Sequence, residues 1–321
     1  MCLYSKVLKN PKYGYSKKNR GIVPVLKDER VGYIAGGCGR CMECLKQKGN
    51  GWRVRLMEDI KDYSGAKFVT LTFSEEGLEE LRRAVNNGGR KLDGYDLENA
   101  SAVLGVRRFT KRWIKSEGKS PRHWLVTELG EKNGRIHLHG IIYGDGDLIE
   151  QKWAQYGFVH IGKFVTDISI NYITKYITKV DLKHKGYTPK ICTSAGIGKG
   201  YVERNKVKHE FKGDSTRTDY RLRNGSKLGL PRYWREKLWT EDEREMLWIV
   251  MLDKEVRYID GVKLEKKYDK EDEWETELRK IGQMRSSRLG YGDDKKNWNS
   301  RSYRNDRQRL NKREKVNKSL L

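Results

Sequence analysis

Two histidines separated by a single leucine, His137-Leu138-His139, carry the first sign of chemistry in this chain. A strand alternates its side chains between two faces, so both imidazoles point the same way. Upstream lies Glu128, separated from them by the Gly/Asn-containing turn Gly130-Glu131-Lys132-Asn133-Gly134-Arg135. A hairpin closed by that turn pairs Glu128 with His137 or His139, and either register puts the carboxylate on the imidazole face. Two imidazoles and a carboxylate, with positions left open for substrate, suit Mg²⁺ or Mn²⁺, and Zn²⁺ is compatible by ligand type. Glu131, in the turn itself, is the rival third ligand. A separate cluster, Cys38-Gly39-Arg40-Cys41-Met42-Glu43-Cys44, brings three thiols together at two-residue spacing. They can converge on a structural Zn²⁺ if Cys2 or a histidine supplies the fourth ligand. Reduced thiols packed at a helix start are the alternative.

Further along stands Asn171-Tyr172-Ile173-Thr174-Lys175-Tyr176-Ile177-Thr178-Lys179. On a helix, Tyr172 and Tyr176 are one turn apart and share a face, as do Lys175 and Lys179. A phenol with a pKa near 10 is a weak nucleophile at neutral pH. A metal-bound phosphate, or a neighbouring lysine that favours phenolate character, would activate it. The alternative is an aromatic stripe buried against a sheet, a duty that Ile173 and Ile177 can also perform.

Taken together these motifs resemble those of known proteins. Residues 137–139 match the His-hydrophobic-His motif of the HUH endonucleases, and Tyr172 and Tyr176 match the tyrosine pair of two-tyrosine rolling-circle initiators. Phe68-Val69-Thr70-Leu71-Thr72 looks like the first motif of that group. The Cys38–Cys44 cluster, Thr193-Ser194-Ala195-Gly196-Ile197-Gly198 and Leu230-Pro231-Arg232-Tyr233-Trp234 resemble the replication initiation proteins of microvirus, gokushovirus-like single-stranded DNA phages. The likeness spans about residues 36 to 240. It implies site-specific nicking and rejoining of single-stranded DNA through a 5′-phosphotyrosine, at the start and end of rolling-circle replication. It also implies a phage origin as substrate, host helicase and polymerase as partners, and a bacterial cytoplasm as location. Plasmid and transposon HUH nucleases are the nearby alternative. A non-catalytic nucleic-acid-binding protein is the distant one.

The elements that position these residues read as an α+β fold, an antiparallel sheet with helices on one face. The order is a strand at Lys67–Phe73, helices at Glu75–Asn86 and Leu97–Lys115, the hairpin, a strand at Gly157–Phe164 and the tyrosine helix. The resemblance identifies this sheet with the HUH, RRM-like design. In the helix over 97–115, Val103, Val106, Phe109, Trp113 and Ile114 face inward. Arg107, Arg108, Lys111 and Arg112 then crowd the remainder, and with Arg135 they are candidate DNA contacts. A helix over 45–61 precedes the sheet. Residues 1–35, broken by proline and glycine, read as an irregular arm.

Composition bounds the partner. Lys and Arg number 68 against 44 Asp and Glu, a net charge of +24. Such an excess favours a polyanion, and nucleic acid is the usual one. No apolar run is long enough to span a membrane. The sequence divides into an N-terminal arm with the Cys cluster and a helix (1–65), the nuclease core (66–182), a basic loop-rich lobe (183–235) and a basic helical C-terminal region (236–321). This last region is expected to be partly disordered, and its spaced Tyr291, Trp298 and Tyr303 suit base stacking.

Overall fold

A computed structural model describes residues 1–17, 19–89, 91–162, 165–179, 183–254, 256–265, 271–292, 301–303 and 305–306. In chain order these form β1 (Lys6–Lys9), β2 (Tyr33–Gly36), α1 (Met42–Asp62), β3 (Ala66–Leu71), α2 (Glu75–Asn87), α3 (Gly94–Glu117), β4 (Arg122–Leu129), β5 (Ile136–Tyr143) and α4 (Gly146–Trp153). Then come β6 (Val159–Gly162), α5 (Asp167–Lys175), β7 (Ile191–Thr193), α6 (Gly200–Asn205), β8 (Asp219–Arg221), β9 (Lys227–Gly229) and α7 (Arg232–Leu238). The chain closes with α8 (Glu241–Asp253), β10 (Val256–Ile259), β11 (Val262–Glu265) and α9 (Glu271–Arg288). Two compact units emerge. One holds residues 48–206 and 220–234, the other residues 1–47, 207–219 and 235–321.

The first unit is built on a five-stranded antiparallel sheet in the order β6-β3-β5-β4-β7, with the histidine strand at its centre. Alternation divides its side chains between two cores. Val69, Leu71, Leu125, Leu138 and Ile142 pack with Leu78, Leu81, Val106, Phe109 and Trp153 from α2, α3 and α4. Trp124, Val126, Ile141 and Tyr143 pack on the opposite face with Leu56 and Met57 of α1 and with Ile170 and Ile173 of α5. Helices therefore cover both faces, where the sequence pattern leads to one. An apolar stripe shows that a helix is buried, not which side of a sheet it buries against.

Local signals hold these elements in place. Ser74 caps α2, its hydroxyl accepting from the Gly77 amide. α5 begins in a capping box, with Thr166 and Ser169 bonding each other's backbone. The helix ends at Lys175, and Tyr176 is its C-cap rather than an interior residue. In α3, Val106, Phe109 and Trp113 are buried as expected, but Ile114 is largely exposed. β6 lies on the edge of the sheet, and Lys163 and Phe164, expected to extend it, fall outside the described residues.

A buried network anchors α1 to the sheet. Asp59, fully buried, accepts from Tyr143 Oη at 2.8 Å, from Gly198 N at 2.6 Å and from the Arg122 guanidinium. Trp234 Nε1 donates to Gly198 O at 2.8 Å, and Arg55 Nε donates to Ile197 O at 3.0 Å. The 193–198 and 230–234 segments thus satisfy polar groups around α1, as a buried charge requires.

In the second unit the N-terminal stretch carries a short strand near each end, one at Lys6–Lys9 and one at Tyr33–Gly36. β1 and β2 pair antiparallel, and Leu3, Tyr4, Cys41 and Ile259 share a core. Arg279 and Gln283 of α9 donate to the carbonyls of Cys2 and Leu3. Tyr303 lies 4.8 Å from the Arg279 guanidinium, and burial pushes its phenol up. Trp298 and most of the tail lie outside the described residues. Among the described residues no helix is long and apolar enough to cross a membrane.

Candidate functional site

The β4–β5 register pairs Glu128 with His137 and Val126 with His139. The turn between the strands closes through Gly130 N to Arg135 O at 3.0 Å, and Gly134 supplies its left-handed residue at φ +62°. This register brings three ligand atoms together. Glu128 Oε2 lies 2.9 Å from His139 Nε2 and 3.3 Å from His137 Nε2, and the two imidazole nitrogens are 3.0 Å apart. Each ring is oriented from behind. His139 Nδ1 is 3.0 Å from Thr70 Oγ1 on β3, and His137 Nδ1 is 3.2 Å from the Arg135 carbonyl. A carbonyl can only accept, so His137 donates to it from Nδ1, which fixes the ring with Nε2 on the Glu128 side. The donor set fits a divalent cation: two nitrogens and one carboxylate oxygen converge, and each ring's outer nitrogen is engaged.

Glu128 divides its two oxygens. Oε2 faces the imidazoles, and Oε1 accepts from Lys179 Nζ. Burial pushes its carboxyl up, but hydrogen bonds from His137, His139 and Lys179 outweigh burial and hold it well below the usual carboxylate range. Burial lowers His139, which favours the neutral, ligating form. Glu131, the rival ligand, is mostly exposed and instead meets Lys179 at 3.1 Å.

The tyrosines reach the same place. The Tyr176 ring stacks on His139 with centroids 4.6 Å apart, and Tyr172 stands edge-on to His139 at 6.4 Å and to Tyr176 at 5.2 Å. They differ in access, with Tyr172 43% exposed and Tyr176 6%. Burial pushes the Tyr176 phenol up, reinforced by its hydrogen bond with Tyr172 and by the Glu128 charge. Lys175 Nζ lies 4.6 Å from the Tyr172 ring, and Lys179 Nζ lies 5.4 Å from the Tyr176 ring.

Of the candidate DNA contacts, those on α3 lie apart from this cluster, while Arg135 stands in the β4–β5 turn and meets His137 through its carbonyl. Arg108 pairs with Glu80 at 2.6 Å, Arg112 donates to the Lys152 carbonyl and to Tyr156, and Arg135 pairs with Glu75. Arg107 and Lys111 are exposed on α3, which packs on the sheet face opposite the triad.

In the second unit, Cys2 joins Cys38, Cys41 and Cys44. The Cys2–Cys41 and Cys38–Cys44 sulfurs are 3.9 and 4.0 Å apart. A tetrahedral site with Zn–S near 2.3 Å requires edges of about 3.8 Å. Backbone amides of Tyr4 and Cys38 point at the Cys2 sulfur, those of Arg40 and Cys41 at Cys38, and that of Leu3 at Cys41. Amide donors aimed at sulfur favour thiolate, the form that binds metal. The cluster fits a soft metal such as Zn²⁺. Sequence reasoning offered Cys2 only as one option because it lies far upstream of the other three. It named Thr70 only within the Phe68–Thr72 motif and not as a partner of His139, since a threonine in a strand gives no sign of what lies across from it.

Residues 66–181 match the family of the replication-associated protein ORF2. The chain is 24% identical over 242 residues to the replication-associated protein ORF4 of Chlamydia phage 1, covering 64% of this chain and 54% of that protein. It thus spans about half the length of the curated relative it matches. Both matches support the likeness to phage replication initiators read from the motifs. No solved structure matches the chain.

Proposed function

We propose that this chain initiates replication of a small single-stranded DNA phage by cutting and rejoining one DNA strand through a tyrosine. The observation that carries the reading is the convergence of Glu128, His137 and His139 beneath the Tyr172–Tyr176 pair. Likeness to a phage replication-associated protein adds to it.

Glu128, His137 and His139 would hold a Mg²⁺ or Mn²⁺ ion, which when bound polarises the scissile phosphate and offsets the charge of the transition state. Thr70 and the Arg135 carbonyl keep the two rings in ligating orientation. Lys179 holds the second carboxylate oxygen and limits its rotation. The Tyr172 oxygen attacks phosphorus and loses its proton. The P–O3′ bond breaks, and the departing oxygen takes up a proton to become a free 3′-OH. The new phosphotyrosine ester keeps the bond energy, so attack by a 3′-OH reseals the strand without ATP. Lys175, beside the Tyr172 ring, favours negative charge on that oxygen.

Tyr172 makes the first cut, because it is exposed while Tyr176 is stacked and buried. Tyr176 acts once strand engagement has moved it off His139, and the two phenols then alternate through a round of replication. The substrate is the phage origin; a host helicase unwinds the duplex and a host polymerase extends the 3′-OH. In the second unit, Cys2, Cys38, Cys41 and Cys44 would hold Zn²⁺, which when bound would tie the N-terminus to the start of α1.

Nicking of single-stranded DNA carrying the phage origin, with and without Mn²⁺, tests the reading. Wild type cuts, while His139→Ala does not. Equal cutting by the two proteins contradicts it.

A further inference from the structure

An aromatic side chain stands in the open at the edge of the same sheet. Phe158 immediately precedes β6 and is 82% exposed. Single exposed apolar residues are common and carry no message by themselves. Phe158 differs in how firmly its backbone is held. Its carbonyl accepts from both Thr72 N and Thr72 Oγ1 at 2.9 Å. The preceding Gly157 is pressed against β3, where a Cβ would come within 2.5 Å of Thr72 O and 2.7 Å of Ser74 N. On the far side of Thr72, Trp153 Nε1 donates to its carbonyl at 2.8 Å. The ring is therefore carried on a rigid support and left largely exposed.

Its direction follows from the register. Val159 and Ile161 pack into the core that contains α2, α3 and α4. Alternation then sends Phe158 and His160 to the other face, which carries the triad. Thr70 pairs with His160 on one side and His139 on the other. One step along the ladder, Phe158 is bonded to Thr72, beyond which lies the row of His137 and Glu128. Two strand spacings, about 10 Å, separate the Phe158 backbone from that of His137. Thr70 and Thr72, half-buried, and His160, exposed, line the interval. Small polar side chains leave this strip of sheet low, with an aromatic ring at one end and the metal ligands at the other.

We infer that Phe158 is a nucleobase platform: a base of the strand being cut, on a nucleotide flanking the scissile phosphate, stacks on its ring. The inference rests on the function proposed above. The ligand class follows from a face that joins a phosphate-handling centre to an uncovered aromatic, in a chain of charge +24. Single-stranded DNA combines phosphates for the cations with π-faces for the ring, and stacking tolerates any base. A rigid ring suits this task, since little conformational freedom is lost on binding. The tail aromatics are not needed for it.

The test is binding of fluorescein-labelled dT20 to the full-length protein, followed by anisotropy in EDTA so that cleavage plays no part. Phe158→Ala and Phe158→Leu should each weaken binding about tenfold, and Phe158→Trp should restore it. The slope of log affinity against log salt should stay the same, because no phosphate contact is removed. Binding of Phe158→Ala within twofold of wild type overturns the inference, as does full retention by Phe158→Leu or an altered salt slope. Thermal melting of each variant identifies a folding defect, and the Trp variant keeps the outcome decisive if Ala misfolds. If Phe158→Ala binds normally while wild type still cuts DNA, the platform fails and the proposed function stands. If stacking is lost as expected but wild type forms no covalent adduct, the proposed function fails.

Discussion

The Tyr176 ring lies flat against the His139 imidazole, with centroids 4.6 Å apart and planes 7° from parallel. Tyr176 is buried in that stack, whereas Tyr172 is exposed. The two phenols are thus unequal before DNA arrives. Tyr172→Phe should slow the first cut of an origin oligonucleotide by about 10³-fold or more, and Tyr176→Phe should leave it within a few-fold. Tyr176→Phe should instead block the strand exchange that ends a round. Single-turnover cleavage and joining, followed on gels, distinguish these outcomes. Equal first-cut rates for the two variants would mean that the tyrosines are interchangeable.

Thr70 Oγ1 meets the outer nitrogen of the His139 ring, a ring that would face the ion in the proposed site. Removing such support typically costs 10–100-fold in affinity or activity. Thr70→Val should therefore weaken Mn²⁺ binding by calorimetry about tenfold, with cleavage restored at high Mn²⁺. His139→Ala should not be restored. DNA binding in both variants should stay within a few-fold of wild type. A collapse of binding would show that these side chains hold the fold rather than the cation.

The four-cysteine site makes a separate prediction about the other unit. Purified protein should carry one zinc per chain, and a strong chelator should remove it. Its loss should raise hydrogen exchange at Leu3, Tyr4 and Cys41, because those amides bond the cysteine sulfurs. Cys2→Ser should do the same. Unchanged exchange after zinc removal would leave the cluster as packed, reduced thiols.

Glu58 gives a pH-dependent test of stability. It is buried, and Lys61, Tyr220 and Arg204 bond its carboxylate. Burial pushes its carboxyl up, but these bonds carry it below the ordinary value. The depressed carboxyl stabilises the fold fully above the unfolded value of about 4.3. That contribution is lost as pH falls through the folded value. Glu58→Gln should cost about 1–2 kcal/mol at pH 7. Thermal melting should show the gap to wild type shrinking between pH 5 and pH 3. A gap that stays constant over that range would mean that the charge of Glu58 does not matter.

Much of the centre could be read from the sequence because strand periodicity is strict. His137 and His139 had to share a face, and the six-residue turn brought Glu128 to them in either register. The tyrosine spacing placed both phenols on one side of α5, although the helix stops before Tyr176. What stayed hidden depended on contacts distant in sequence. Thr70 meets His139 only because β3 and β5 are neighbours. Lys179 serves Glu128 as well as standing over a tyrosine ring. The basic stripe of α3 reads as a candidate DNA contact, and a charge pattern does not show the partners its members have within the fold. Glu80, Tyr156 and the Lys152 carbonyl engage Arg108 and Arg112.

The central claim is that a phenol on α5 attacks DNA held at the Glu128–His137–His139 centre. Intact-mass spectrometry of the protein, after incubation with a single-stranded origin oligonucleotide and Mn²⁺, tests it most directly. The account predicts a covalent adduct equal in mass to the 5′-phosphorylated product, mapped by peptide digestion to Tyr172 and absent in EDTA. Cleavage without any adduct, or an adduct that persists when both Tyr172 and Tyr176 are phenylalanine, would contradict it.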